Sequence, residues 1–305
     1  MKKVLAVVLV LVMVLGLVAC GGGGDTEEQT SISVQYVPTN AELADATTEA
    51  FAAYLENILG MEVNVTVATD YTTIVEAMEA GQVDVGIMPP AAYVQARTLG
   101  AAESILSSTL VDYDQVTEQP IEGSVVGDFK AEVIVRADSG IDSYEDLVGK
   151  KVAYLGVASA SGYIYPVAEM KDLGLEFDTS NWQQISDVVS AMKAVYDGDV
   201  DACFTFEGSR YVFRNALTDA AGNPVDVFAE LAAGILSEGD IPNDAIAVLP
   251  TMDDALKTKV QDAFLQMASE EEGLQIMSAW SHTGYVVSNE AAYDTIEDYM
   301  AKAAE

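Results

Sequence analysis

Two serines, an alanine and a glycine stand where an apolar strand meets the opening of a helix: residues 154–166 read YLGVASASGYIYP. Ser159 and Ser161 supply hydroxyl donors, and a strand that turns directly into a helix leaves backbone N–H groups unpaired at the helix start. Such a grouping suits an oxyanion, because the partial positive charge of a helix terminus favours it and Gly162 lets a ligand approach the backbone. Pro166 lacks an N–H and is best tolerated near a helix start, so the serines belong to the preceding turn. The same serines also fit a plain helix cap, and on these residues both readings stay open.

Other chemistry-bearing residues point away from catalysis. The single histidine, His282, sits in the turn SHTG and reads as a surface or capping residue, without the partners of a Ser-His-Asp arrangement or a histidine metal site. Cys203 lies in an apolar strand and reads as a buried small hydrophobe. Carboxylates are abundant, yet none falls in a recognised catalytic spacing. Arg97 and Arg210 stand out in a chain poor in arginine; each either reaches a ligand or pairs with neighbouring acids, pairing being the simpler expectation. Tyr163 and Tyr165 flank the helix start and either wall a pocket or pack in the core. The expectation is a binding protein and not an enzyme, with no cofactor and no metal.

Charge narrows the partners. The chain holds 14 basic and 49 acidic residues; removing Lys2 and Lys3 leaves 12 basic, a net charge of about −37. Nucleic acid is thereby excluded, and a bound anion must be held by local amides and hydroxyls against the overall field. Lys2 and Lys3 precede an unbroken apolar run from Val4 to Ala19, too short to span a membrane comfortably and suited to an export signal over residues 1–19. The run closes on Leu17-Val18-Ala19-Cys20, which resembles the bacterial lipoprotein processing box. That resemblance implies that Cys20 becomes the lipid-carrying first residue, with residues 20–30 a flexible tether and the lipid the only link to a membrane. An ordinary signal peptide with an incidental cysteine is the alternative. If Cys20 carries lipid, Cys203 has no disulfide partner, and the protein relies on its core, to which a 50% apolar composition is adequate.

The elements that must position the serines alternate. ISVQYV reads as a strand and Pro38-Thr39-Asn40 as a turn; the next segment spaces Leu43, Ala46, Ala50, Phe51, Tyr54, Leu55 and Ile58 on one helical face and stops at Gly60. MEVNVTVAT alternates as a strand, so the three form a parallel βαβ unit. Glu76–Gly86 (EAMEAGQVDVG) and Lys193–Cys203 (KAVYDGDVDAC) match at alanine, glycine, valine and aspartate. In both, an amphipathic helix ends on glycine ahead of a short buried strand, which predicts two similar α/β halves. Between them AEVIVRADSGI is a long strand, Ser143 caps a short helix with Asp146 three residues on, and Val152–Leu155 is a strand. VDVFAEL reads as a strand, Ile241–Asp244 leads into an extended AIAVLP, and the chain from Met252 is helical apart from the SHTG turn and YVVS. Extended segments at about 130–136 and 241–249 are candidates for two crossing strands. They would divide the chain into lobe one, residues 31–131 and 244–305, and lobe two, residues 132–243.

TDYTTIVEAMEAGQVDVGIMPPAAYVQA, RADSGIDSYEDLVGKKVAYLGVASASGYIYP, AVYDGDVDACFTF and IPNDAIAVLP occur in this order over nearly the whole mature chain. Together they resemble the substrate-binding proteins of phosphate, phosphite and phosphonate ABC importers. The resemblance implies the α/β periplasmic-binding-protein type 2 fold, two lobes with two crossing strands, closing on a small-molecule ligand as a monomer that docks on an ABC permease and its ATPase. It implies a location on the outer face of the cytoplasmic membrane. The family's serine loop falls on Ser159, Ala160, Ser161 and Gly162, and its two cleft tyrosines on Tyr71 and Tyr93. Two departures remove donors: the family's threonine is Ala160, and its histidine aligns with Val188. They keep open a different organic solute, or a ligand-sensing role without transport. Asp187 and Glu207, near the expected cleft edges, either meet a cationic part of a ligand or are solvated surface acids.

Overall fold

The computed structural model describes residues 29–37 and 41–304, and residues 31–305 form one compact unit. The export signal, Cys20, most of the tether and the Pro38-Thr39-Asn40 turn lie outside the described residues, as do the side chains of Leu43 and Ala46.

The chain builds β1 (Ser31–Tyr36), α1 (Ala41–Leu59), β2 (Glu62–Val67), α2 (Tyr71–Glu79), β3 (Val85–Met88) and α3 (Pro90–Thr98), then a hairpin of β4 (Glu103–Tyr113) and β5 (Pro120–Val126). Its middle contributes β6 (Asp128–Arg136), β7 (Val152–Tyr154), a π-helical turn (Ala160–Ile164) running into α4 (Tyr165–Asp172), and β8 (Gln183–Gln184). There follow α5 (Val188–Asp197), β9 (Ala202–Phe206), α6 (Ser209–Val212), α7 (Val227–Glu230) and β10 (Leu231–Pro242). The chain then returns through β11 (Ala245–Val248), α8 (Asp254–Met267), α9 (Glu271–Met277), β12 (Gly284–Val287) and α10 (Asp294–Ala304).

Among the described residues the strands make two sheets. The first runs β12-β4-β11-β3-β1-β2, with β5 paired to β4; the second runs β10-β6-β9-β7-β8. The expected βαβ unit is present: β1 pairs in parallel with β2, Val34 opposite Val65. Helices cover both faces of each sheet, as parallel strands require. One core joins Phe51, Tyr54 and Leu55 of α1 to Phe264 of α8 and to Trp280; each fully buried aromatic or leucine there is worth roughly 1.5–3 kcal/mol over exposure. Ala50, expected on that face, is exposed instead.

The matched segments are structurally parallel. Helix α2 gives way to Gly81 (φ +64) and α5 to Gly198 (φ +80), where a left-handed backbone favours glycine. Each following aspartate then pins the neighbouring strand or the residue before it: Asp84 accepts from the Ser33 N–H within β1 at 2.7 Å, Asp201 from the Lys151 N–H just ahead of β7 at 2.9 Å.

Strand pairing changes sheets between β5 and β6, at Gly127, and between β10 and β11, at Asn243-Asp244. Asn243 is fully buried at this crossing. Its side-chain amide donates to the Ser108 and Val126 carbonyls, and its own N–H bonds the Gly127 carbonyl.

Three local expectations change. VDVFAEL does not form a strand: the Asp226 carboxylate accepts from the Phe228 and Ala229 N–H groups and starts the short α7, capping outweighing alternation over so few residues. Ser143 does not cap; its hydroxyl donates to Asp146 at 2.7 Å before a 3-10 turn. The extended segment near 241–249 is two strands in different sheets, the first of them beginning at Leu231. The β4–β5 hairpin is an addition to the elements read from sequence.

Candidate functional site

A cleft of about 1120 Å3 opens where the carboxyl ends of β1, β3 and β7 meet the β4–β5 hairpin, with Val37, Pro89 and Leu155 in its wall. Carboxyl ends of parallel strands at a change of strand order are where open α/β sheets hold ligands.

Ser159, Ala160 and Ser161 all line this cleft. The Ser159 hydroxyl accepts from the Gly162 N–H at 3.0 Å, so one serine is a cap, while its own N–H bonds the Gly156 carbonyl. The N–H groups of Ala160 and Ser161 begin the turn and have no earlier helical carbonyl to bond. Tyr71 stands in the same wall as the first residue of α2, close to Ser159. Burial first, and then the Asp244 charge, push its phenol up to about 12, so it stays protonated and able to donate.

Gly162 plays a different part from the one expected. A Cβ there would lie 2.7 Å from the Leu155 side chain, so its smallness lets the turn pack on β7 and does not expose backbone to a ligand. Tyr93 lies outside the cleft lining. Its hydroxyl donates to Glu290 at 2.6 Å and accepts from the Ser104 N–H, and its ring meets Tyr293 edge-on, because α3 packs on the C-terminal segment. Tyr163 packs against Tyr154, with ring centroids 5.2 Å apart, and likewise does not line the cleft. Tyr165 is core, stacked on Tyr299.

Asp187 and Glu207 do line the cleft. Asp187 caps α5 by accepting from the Ser190 N–H at 2.7 Å, and Val188, where the family's histidine aligns, follows it in the wall. Glu207 accepts from the Lys130 N–H at 3.0 Å; burial raises its pKa. Asp112 and Asp114 of the hairpin join it, with Tyr113, Phe206 and Phe213. Lys130, the cleft's lysine, is committed to Asp240 at 2.8 Å.

His282 corrects the sequence reading. It is buried in the cleft wall beside Trp280, with Nε2 3.3 Å from Asp244 and Nδ1 3.3 Å from the Tyr285 hydroxyl. Its acid partner, Asp244, lies 38 residues away, so no local pattern marked the pair. Arg97 pairs with Glu290, Asp294 and Glu297, and Arg210 with Glu118, as the simpler expectation had it. Among the described residues no group of His, Cys, Asp and Glu is arranged to hold a metal ion, and no helix is long and apolar enough to cross a membrane.

Residues 35–293 match the family described as ABC transporter, phosphonate, periplasmic substrate-binding protein. The chain belongs to this family. The phosphate-import protein PhnD of Mycolicibacterium smegmatis is 28% identical over 279 residues, covering 84% of this chain and 80% of that one. Two solved structures share the architecture. A binding-protein component of an ABC phosphonate transporter from Pseudomonas aeruginosa aligns with TM-score 0.69 at 19% identity, over 91% of this chain and 87% of that one. PhnD1 of Prochlorococcus marinus in complex with methylphosphonate aligns at 0.66 and 15% identity, over 90% and 98%. The fold is therefore the α/β periplasmic-binding-protein type 2 fold, and the chain is a substrate-binding component of an ABC transporter, a family of transport proteins and not of enzymes.

Proposed function

We propose that this protein captures a small phosphorus oxyanion, a phosphonate, phosphite or phosphate, in the cleft and hands it to an ABC permease driven by a cytoplasmic ATPase. One observation carries the reading: Ser159, Ala160 and Ser161 open a helical turn at the cleft surface, with the Tyr71 hydroxyl beside them. Hydroxyls and helix-start amides hold an anion without a cationic side chain. Relatives named for phosphate import and for methylphosphonate binding point the same way. Closure would bend the chain at Gly127 and Asn243-Asp244, with residues 31–131 and 244–305 as one lobe and 132–243 as the other. The protein acts as a monomer, and Cys20 carries its lipid anchor outside the cytoplasmic membrane.

A second reading rests on the acids of the cleft lining. Asp112, Asp114 and Glu207 line the ligand space with aromatic rings among them, which favours a solute that also bears a cation.

Thermal-shift screening followed by calorimetric titration of the chain from Asp25 onward tests both, using phosphate, phosphite, methylphosphonate, aminoethylphosphonate, sulfate and small amines. Stabilisation by phosphorus oxyanions supports the first reading, and preference for the amine-bearing phosphonate adds the second. Silence from every oxyanion with a shift from an amine alone overturns the first.

A further inference from the structure

Two carboxyl groups meet one guanidinium inside this protein, and the charges do not balance. Glu118, at the tip of the β4–β5 hairpin, is 2% exposed; Glu132 on β6 is fully buried; Arg210 on α6 is 7% exposed. Arg210 gives Nε and Nη2 to one Glu118 oxygen, at 2.8 and 2.6 Å, and Nη1 to the Leu231 carbonyl at 2.7 Å. The other oxygen of Glu118 (Oε2) and Oε1 of Glu132 are both buried without a partner, while Glu132 Oε2 accepts only a 3.4 Å contact from the Ser209 hydroxyl. Two ionised carboxylates against one arginine would leave a net buried charge, which is costly. A single proton on Glu132, donated to Glu118, removes the charge and satisfies both orphaned oxygens at once.

We propose that Glu118, Glu132 and Arg210 form a one-proton clasp that fastens the β4–β5 hairpin, and with it one wall of the cleft, onto the second half of the molecule. The hairpin belongs to the first sheet through β4, yet Arg210 of α6, beside the second sheet, bonds its tip at Glu118. Tyr113 adds a second point of attachment: its ring lies against Gly208, where a Cβ would come within 2.6 Å of it, and 5.9 Å from Tyr211. Tyr113, Asp114, Gln115 and Val116, which the clasp holds in place, line the cleft. These are positioning residues, and the clasp does not depend on which solute the cleft takes.

The groups facing Glu132 agree. Burial, then a hydrogen bond to Glu118 and the Glu118 charge, raise the Glu132 pKa well above the ordinary carboxylate value, and Glu207 adds to this while Arg210 opposes it. Cys203 and Thr205 of β9 face the same space without a charge to offset, the Cys203 thiol being pushed up by burial and by Glu132. An acid whose folded pKa is raised stabilises the fold fully below its unfolded pKa, and that stability is lost as pH rises toward the folded value.

The test compares wild type with Glu132→Gln, Glu132→Ala and Glu118→Gln by unfolding across pH 5 to 9.5 and by amide hydrogen exchange at residues 114–119. The glutamine at 132 supplies a permanent N–H donor. It is expected to keep the hairpin protected at every pH, and to remove one proton's slope, about tenfold in the unfolding constant per pH unit. Glu132→Ala and Glu118→Gln are expected to release residues 114–119, raising exchange at least about tenfold while the first sheet stays protected. Identical pH slopes in wild type and Glu132→Gln, or a hairpin as protected in Glu118→Gln as in wild type, overturn the proposal. If the variants fail to fold, the wild type decides alone by infrared spectroscopy. A protonated-carboxyl C=O band at neutral pH that disappears together with hairpin protection on raising the pH supports the clasp, and its absence at neutral pH overturns it.

Discussion

Two groups of cleft residues offer a ligand opposite chemistry. Ser159, Ser161 and Tyr71 present hydroxyls beside helix-start amides, with the Asp244 charge near Tyr71; Asp112, Asp114 and Glu207 present carboxylates among aromatic rings. Each group takes its polarity from local structure: the serines from the π-helical turn ahead of α4, the acids from the β4–β5 hairpin and the end of β9. The difference teaches that the proposed anion would have to be held by oriented dipoles over a few ångströms, since the chain as a whole, at a formal charge of −35, repels it.

The largest effect is expected from removing the serine hydroxyls. Ser159→Ala with Ser161→Ala deletes two donors to an anion, each worth roughly 1.5–3 kcal/mol, so calorimetric affinity for methylphosphonate or phosphate should fall more than about a hundredfold. Thermal melting should show only the loss of a cap, about 1 kcal/mol; unchanged affinity would reduce the serine turn to a cap. Tyr71→Phe removes one donor and should weaken the same ligands by roughly ten- to a hundredfold.

Tyr93→Phe is the matched contrast, for it should leave affinity unchanged. Melting should instead report about 1.5–3 kcal/mol of lost stability, the cost of the bond to Glu290. A loss of affinity with normal melting would return Tyr93 to the site. Glu207→Gln should act in opposite senses, tightening phosphate severalfold by easing repulsion and weakening aminoethylphosphonate severalfold; equal effects on both would erase the contrast between the two groups. The smallest change is expected from Ala160→Ser, which restores a hydroxyl where the family carries threonine and should tighten an oxyanion by a few-fold.

Much of this architecture was legible because it is written in local periodicity. The alternation of MEVNVTVAT, the helical face of Phe51, Tyr54 and Leu55, and the helix-glycine-aspartate segments ending at Gly81 and Gly198 all act within a dozen residues. The serine turn was legible for the same reason. What escaped depends on distance along the chain. His282 reads as a surface residue until Asp244, 38 residues away, folds against it. Glu118 carries no local sign of burial, its partner being 92 residues away. Tyr93, assigned to the cleft by family likeness, turns into the core because Glu290 and Tyr293 on the returning C-terminal segment claim its hydroxyl and ring. Asp226 shows the reverse, a single capping side chain overriding a pattern of apolar alternation.

Asn243 has a mechanical meaning. One buried carboxamide ties β4 and the end of β5 together, and the backbone of the same residue ties the second crossing to Gly127 in the first. In the closure proposed above, two connections joined at one point would share a pivot, letting the halves turn about it but not slide past one another. The molecule would then have a single axle, each opening of the cleft being a rotation that leaves this residue where it is.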